Sequence, residues 1–407
     1  MNYSIENIEG ITCIFAPMEE ANSLTIQIMC KAGSIYESAQ LNGIAHFQEH
    51  MFFKGGKKYP NQKAVTETID RFGGEFNAST GTHGVSYYVK SAPNFAEQAL
   101  DVLADMMMHA QFDPEEIEKE KGVIIQELKM YEDNPSMLVH NKRRQRYFGN
   151  SSYGRDIIGT IATINSFNQE KLISYKQGLY TKNNLIIVIA GKILNKESLI
   201  EQIKKNFKSL LEEATIMRPD FDYHLPIEKE SFFEKKTEQN HLIIAARGFT
   251  GEQEQRYAAR ILATILGGNM SSRLFQNIRS KYGLCYYIGA AHSAKKEVGD
   301  FVIRAGIDKE RFNFGVAKIF EEIEEISKGK IGLEEFENAL GNLQGQLQMG
   351  IETSDEMADF LGGQYLEYQR IDTLEDMLSK YESVSFDEVL ETAKLLEREH
   401  LYLYHIQ

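Results

Sequence analysis

The five residues His46-Phe47-Gln48-Glu49-His50 restrict the fold of this 407-residue chain more than any other segment. Their chemistry is coherent only on a helix. At about 100° per residue, His50 lies roughly 40° from His46, and Glu49 roughly 60° to its other side. All three then share one arc of roughly 100°. Two neutral imidazoles on one face make half of a zinc site, and a carboxylate beside them that is not needed as a ligand can serve as a base. The pattern is H-x-x-E-H, the inverse of H-E-x-x-H. With 10 histidines in the chain, it arises by chance in roughly 2% of such sequences. A third ligand is therefore needed before it carries weight.

Composition sets the broad class. The chain is 42% hydrophobic and 26% charged, with a net charge of −14. This suits an ordinary globular protein of two or three domains. It argues against a nucleic-acid binder or a binder of anionic membranes, which need a basic face. The one dense basic run, Lys142 to Arg146, reads as a solvated helix face. No apolar run approaches the 18 or so residues of a membrane span. Cys13, Cys30 and Cys285 form no CxxC and leave an odd thiol. With no basic and apolar leader at the N-terminus, a cytoplasmic location is expected.

Periodicity predicts strands at Ile11–Phe15 and Leu24–Cys30, then a helix over Asn42–Lys54 that stops at Gly55-Gly56. Strands follow at Phe76–Thr80 and Val85–Ser91. Asp113-Pro114-Glu115-Glu116 opens a helix to about Tyr131, with Asp as N-cap and Pro at its first position. Asn134-Pro135 breaks it. A linker is expected over 216–226, dividing residues 1–215 from 227–407. The second part repeats the order of the first: a strand, then an amphipathic helix ending in Gly267-Gly268. That second helix carries Ile261-Leu262-Ala263-Thr264-Ile265 and no zinc ligand. A duplicated domain with one active and one silent half explains this pattern. Strands grouped with helices favour α+β over a doubly wound sheet.

The best third ligand lies on the helix opened by Asp113. Glu120 and Glu127 are seven residues apart, about 20° short of two turns, so they line one face. One carboxylate can bind metal while the other supports the ligands by hydrogen bonding.

Here the sequence resembles the M16 metallopeptidases, the family of pitrilysin, insulin-degrading enzyme and mitochondrial processing peptidase, and its short-chain branch in length. The resemblance rests on HxxEH followed, after 76 intervening residues, by Glu127 in Val123-Ile124-Ile125-Gln126-Glu127-Leu128. GIAHFQEHMFFKG, GGEFNAST, YEDNP and YGRDIIGT look like family blocks in the right order. In the second half, Arg273-Leu274-Phe275 and Ile278 to Tyr286 resemble a segment in which an arginine and a tyrosine seven later serve the substrate. The resemblance implies that His46, His50 and Glu127 bind one zinc per chain. It implies that Glu49 is the general base and that Glu120 is the glutamate supporting the zinc ligands. Arg279 and Tyr286 become the donors to the substrate carbonyl. It also implies two related α+β domains of the LuxS/processing-peptidase type, each an antiparallel sheet packed with helices. The substrate would add as a strand near Phe76, Asn77, Ala78 and Ser79.

The sequence departs from the pattern at Gln48, where leucine is usual, and at His83 and Val85, where an acidic residue and a threonine are common. Gln48 lies about 200° from His46 and should not face the metal. The expected function is a zinc endopeptidase acting on peptides, presequences or unfolded segments. A homodimer is expected, with a heterodimer with a paralogue as the alternative. A noncatalytic assembly subunit and a different zinc hydrolase are the competing classes. The intact motif argues against the first, and the Arg279/Tyr286 segment against the second.

Overall fold

The computed structural model describes residues 1–218, 225–226 and 228–407. The linker expected at 216–226 falls mostly outside them. The chain forms two compact units that are not sequential. The first takes Met1–Met130, Phe148–Tyr223 and Ile351–Ile371; the second takes Tyr131–Tyr147, His224–Gly350 and Asp372–Gln407.

The first unit holds β1 (Ser4–Ile8), β2 (Ile11–Pro17), β3 (Leu24–Cys30), β4 (Glu75–Thr80), β5 (Val85–Ser91) and β6 (Leu185–Gly191). They order as β1-β2-β6-β3-β5-β4. Every residue of β3 and β6 is buried. The continuous apolar run of β6 suits a central strand covered on both faces, and β3 interposes Thr25 and Gln27, which are buried with polar partners. β4 alternates exposed and half-buried residues and lies at the sheet edge, the pattern of a strand with one solvated face.

The second unit holds β7 (Glu230–Phe233), β8 (Gln239–Arg247), β9 (Cys285–Ala294), β10 (Gly299–Asp308) and β11 (Tyr402–Ile406), ordered β7-β11-β8-β10-β9. This repeats β2-β6-β3-β5-β4 strand for strand, including the parallel pairs β2–β6 and β7–β11. The duplication read from the Gly-Gly helices thus extends to the whole topology. The sheets are mixed rather than purely antiparallel, because the strand that closes each repeat runs alongside the one that opened it.

The units depart from a simple cut near residue 216 for a physical reason. Helix Ser354–Tyr368, from the second half, packs on β3 and β6. It buries Ala358 and Leu361 against Met29, Val188 and Ala190. Ser354 Oγ lies 2.8 Å from Thr25 Oγ1, and Gln27 Nε2 donates to Asp359 Oδ1 at 2.6 Å. Gly362 permits the close approach: a Cβ there would meet Met29 Sδ at 2.7 Å and Val188 Cγ2 at 2.9 Å. Conversely, helix residues Pro135–Tyr147 belong to the second unit. Arg143 is buried there and donates to Asp300 Oδ2 at 2.5 Å. The basic run is therefore not simply a solvated face; its second residue anchors the helix. The two helices occupy equivalent places, between β5 and β6 and between β10 and β11.

Candidate metal centre

The motif folds as the helix Ile44–Phe52, which packs beside β4. Ile44, Phe47, Gln48 and Met51 are buried, which turns His46, Glu49 and His50 to the opposite side. Gln48 is fully buried and faces away from the histidines, as its 200° offset requires. The glutamate helix, Pro114–Asp133, begins after Asp113, whose Oδ1 accepts the amide of Glu115 at 2.7 Å. Glu120 is buried and Glu127 half-buried on one face of it.

His46, His50 and Glu127 converge, with one ligand atom from each lying within 4.8 Å of the others. His46 Nε2 is 3.6 Å from Glu127 Oε1, and His50 Nε2 is 3.5 Å from Glu127 Oε2. A zinc ion bound tetrahedrally at about 2.0–2.1 Å separates its ligand atoms by roughly 3.3 Å. The three side chains are thus spaced as ligands sharing an ion, and longer than ideal hydrogen bonds. A second cluster among the described residues, Glu397, Glu399 and His400, lies exposed on the surface.

The supporting contacts are specific. His50 Nδ1 lies 2.8 Å from Glu120 Oε1. That bond selects the tautomer with Nε2 unprotonated and turned toward Glu127. Lys54 Nζ sits 2.6 Å from Glu120 Oε2. Burial disfavours the Glu120 carboxylate, but its bonds to His50 and Lys54 outweigh this and hold its pKa below the ordinary value. Burial likewise disfavours charged His50, yet the bond to Glu120 and the charges of Glu120, Glu127 and Glu49 raise its pKa overall. Thr80 Oγ1, at the end of β4, donates to Glu49 Oε2. Neither Lys54 nor Thr80 stands out in the sequence. Lys54 lies four residues after His50, in the turn that follows the helix, and that spacing is the one signal available.

The remaining residues fall as follows. Phe76 and Ala78 are half-buried on β4, while Asn77 and Ser79 are exposed. The Phe76 ring lies 5.6 Å from that of Phe53. The outer edge of β4 has no strand partner among the described residues. His83 is outside the metal group and is engaged by the Tyr153 hydroxyl at 2.9 Å from its Nε2. In the second unit, Arg279 lies on the π-helical segment Phe275–Lys281 and Tyr286 on the edge strand β9. The Arg279 guanidinium sits 4.7 Å from the Phe275 ring and 5.7 Å from the Tyr286 ring. It has no carboxylate partner among the described residues, whereas Arg273 is clamped by Glu335 at 2.6 Å. Tyr286 is 78% exposed.

Residues 15–161 match the family described as insulinase, peptidase family M16, and residues 166–343 match the peptidase M16 inactive domain. An uncharacterized zinc protease of Bacillus subtilis, YmxG, is 33% identical over 97% of this chain and 95% of its own. The chain belongs to peptidase family M16. An uncharacterized zinc protease of Rickettsia bellii is 32% identical over 96% of this M16 chain and 94% of its own. Among solved structures, a protease from Helicobacter pylori superposes with a TM-score of 0.90 at 19% identity. That alignment covers 100% of this chain and 99% of the other. A peptidase M16 inactive domain from Pseudomonas fluorescens gives the same score at 17% identity. These two share the fold. Family and relatives together support a peptidase and point to zinc. No helix among the described residues is long and apolar enough to cross a membrane.

Proposed function

We propose that this chain is a zinc-dependent endopeptidase that cleaves unstructured peptides. The observation that carries the reading is the convergence of His46, His50 and Glu127 beside Glu49, a carboxylate not in the ligand group. Those three residues would hold the zinc, which when bound polarises a carbonyl and makes water more acidic. Glu49 takes a proton from the attacking water and passes it to the leaving nitrogen. Thr80 holds one oxygen of Glu49 and so leaves the other to receive the proton. Glu120, itself held by Lys54, fixes the ring of His50.

Arg279 and Tyr286 are assigned to the substrate carbonyl, where a guanidinium and a phenol can donate to developing negative charge. Their adjacency, the exposure of Tyr286 and the lack of a carboxylate partner for Arg279 among the described residues support this. The open edge of β4 suits an extended peptide that pairs through its backbone. Such pairing tolerates many sequences but requires an unfolded segment. We extend the proposal to a homodimer, since one chain carries both the metal group and the Arg279/Tyr286 pair.

The test is zinc content and hydrolysis of a library of unstructured peptides, for the wild type and Glu49→Gln. Retained metal with lost turnover in the variant is expected. Equal turnover in both would sink the mechanism. A wild type without zinc or activity would instead make the chain a noncatalytic assembly subunit.

A further inference from the structure

Glu37 is fully buried in the segment ahead of the histidine helix, and no part of the motif requires it. Its Oε2 accepts the Gly43 amide at 2.8 Å and the Asn42 side-chain amide at 3.1 Å. Its Oε1 accepts the Ala45 amide at 3.0 Å. The first amides of a helix have no partner within it and are normally satisfied by the side chain at the cap. Here the cap is Gly43, which offers none. Glu37 supplies the missing acceptors from six residues upstream, with both oxygens engaged.

The same carboxylate is tied into a wider clamp. Asn42 Nδ2 also donates to the Asp156 carbonyl at 2.8 Å, and Arg155 Nη2 donates to the Glu37 carbonyl at 2.7 Å. Gly43 has φ +94°, and a Cβ there would meet the Ile158 carbonyl oxygen at 2.6 Å. The helix start is therefore pinned between Glu37 and the turn at 155–159. His46 follows Ala45 directly, and Glu49 and His50 lie one turn further along the same rod. A shift at Gly43 moves all three together against Glu127, which sits on a separate helix.

We propose that Glu37 is a positioning residue: its carboxylate sets the start of the histidine helix and hence the placement of His46, Glu49 and His50 against Glu127. The assignment rests on reading that group as a metal centre. A glutamine fills the same space but has one acceptor oxygen, so its amide NH2 confronts either the Gly43 or the Ala45 N–H. Aspartate keeps both acceptors on a shorter arm.

The experiment compares wild type, Glu37→Gln and Glu37→Asp. It measures zinc affinity by chelator competition, kcat and KM on an unstructured peptide, and amide exchange of the metal-free proteins. In Glu37→Gln, zinc affinity should fall about tenfold or more. The kcat should fall with little change in KM, and exchange should accelerate over residues 44–50 while the β3 and β6 amides keep their protection. Partial recovery in Glu37→Asp is expected. Unchanged zinc affinity and kcat in Glu37→Gln, whatever its melting temperature, would overturn the proposal and leave Glu37 a purely structural residue. Should Glu37→Gln not fold, Asn42→Ala takes its place, with a two- to fivefold loss of zinc affinity expected and an unchanged affinity overturning. A wild type that takes up no zinc would defeat the metal reading alone. The exchange comparison then decides Glu37 on its own, local acceleration supporting it and unchanged exchange overturning it.

Discussion

Glu120 Oε1 lies 2.8 Å from Nδ1 of His50, while its other oxygen faces the ammonium of Lys54 at 2.6 Å. One buried carboxylate thus couples a candidate zinc ligand to a cation four residues further on, just past the helix end. Replacing it with glutamine removes the charge that orients the imidazole. Zinc affinity is expected to fall about 10–100-fold, the usual cost of losing such a partner. Chelator competition measures it, and an affinity within twofold of wild type would show that Glu120 does not support the site.

In the metal-free protein, the contributions of Glu37 and His50 to stability should shrink as pH rises from about 5 to about 8. The buried His140 and His292, held down to about 4, act the other way below their ordinary 6.5. Burial pushes the Glu37 carboxyl up to about 7 from an ordinary 4.5. Its contribution is therefore complete below the ordinary value and is lost as pH rises through the folded one. His50, raised by its glutamate neighbours, acts in the same direction above its ordinary 6.5. Thermal unfolding across this range, with chelator present, checks the sign. The stability of the wild type relative to Glu37→Gln should fall with pH across this range, and a difference that stays constant or rises would contradict the Glu37 assignment.

Zinc binding should show the opposite trend. A protonated His50 must lose its proton to act as a ligand, and its raised pKa extends that competition above pH 6.5. Apparent affinity should climb with pH until His50 is neutral and then level off. Calorimetry in buffers of different ionisation enthalpy would report the released proton.

Tyr286→Phe removes a hydroxyl from an exposed ring and leaves the fold alone. If that hydroxyl donates to the substrate as carbonyl charge develops, kcat should drop by a factor on the order of 10² with little change in zinc content. Wild-type kcat would release Tyr286 from this role.

Gly362→Val places a side chain where Met29 Sδ and Val188 Cγ2 stand within 3 Å of the new Cβ. A loss of about 1–3 kcal/mol is expected from overpacking a helix that lies directly on the sheet. A urea melt measures it, and a neutral result would mean that the helix and β3 can move apart freely.

Much of the site's layout was legible because helical periodicity is rigid. The spacing of His46 and His50, and of Glu120 and Glu127, places each pair on one face before any coordinate is known. The two Gly-Gly stops exposed the duplication, and the strand order then follows it through all five shared strands. Other features were hidden for identifiable reasons. Glu37 and Thr80 reach the histidine helix from outside it, and through-space partners leave no periodic trace. Lys142 to Arg146 gives no hint that Arg143 is buried against Asp300, since a charge run looks the same whether or not one member has a distant acid. The Ser354–Tyr368 helix shows that it needs an apolar partner but not which sheet provides it.

That helix also sets a schedule for synthesis. The last strand of the first sheet ends at Gly191, yet the helix that covers Met29 and Val188 is complete only at Tyr368. At typical ribosomal rates of about 5–20 residues per second, the intervening chain takes roughly 9–35 s to emerge. During that interval an apolar sheet face awaits its lid, so the newborn chain has its greatest need of a chaperone well before its final residue is joined.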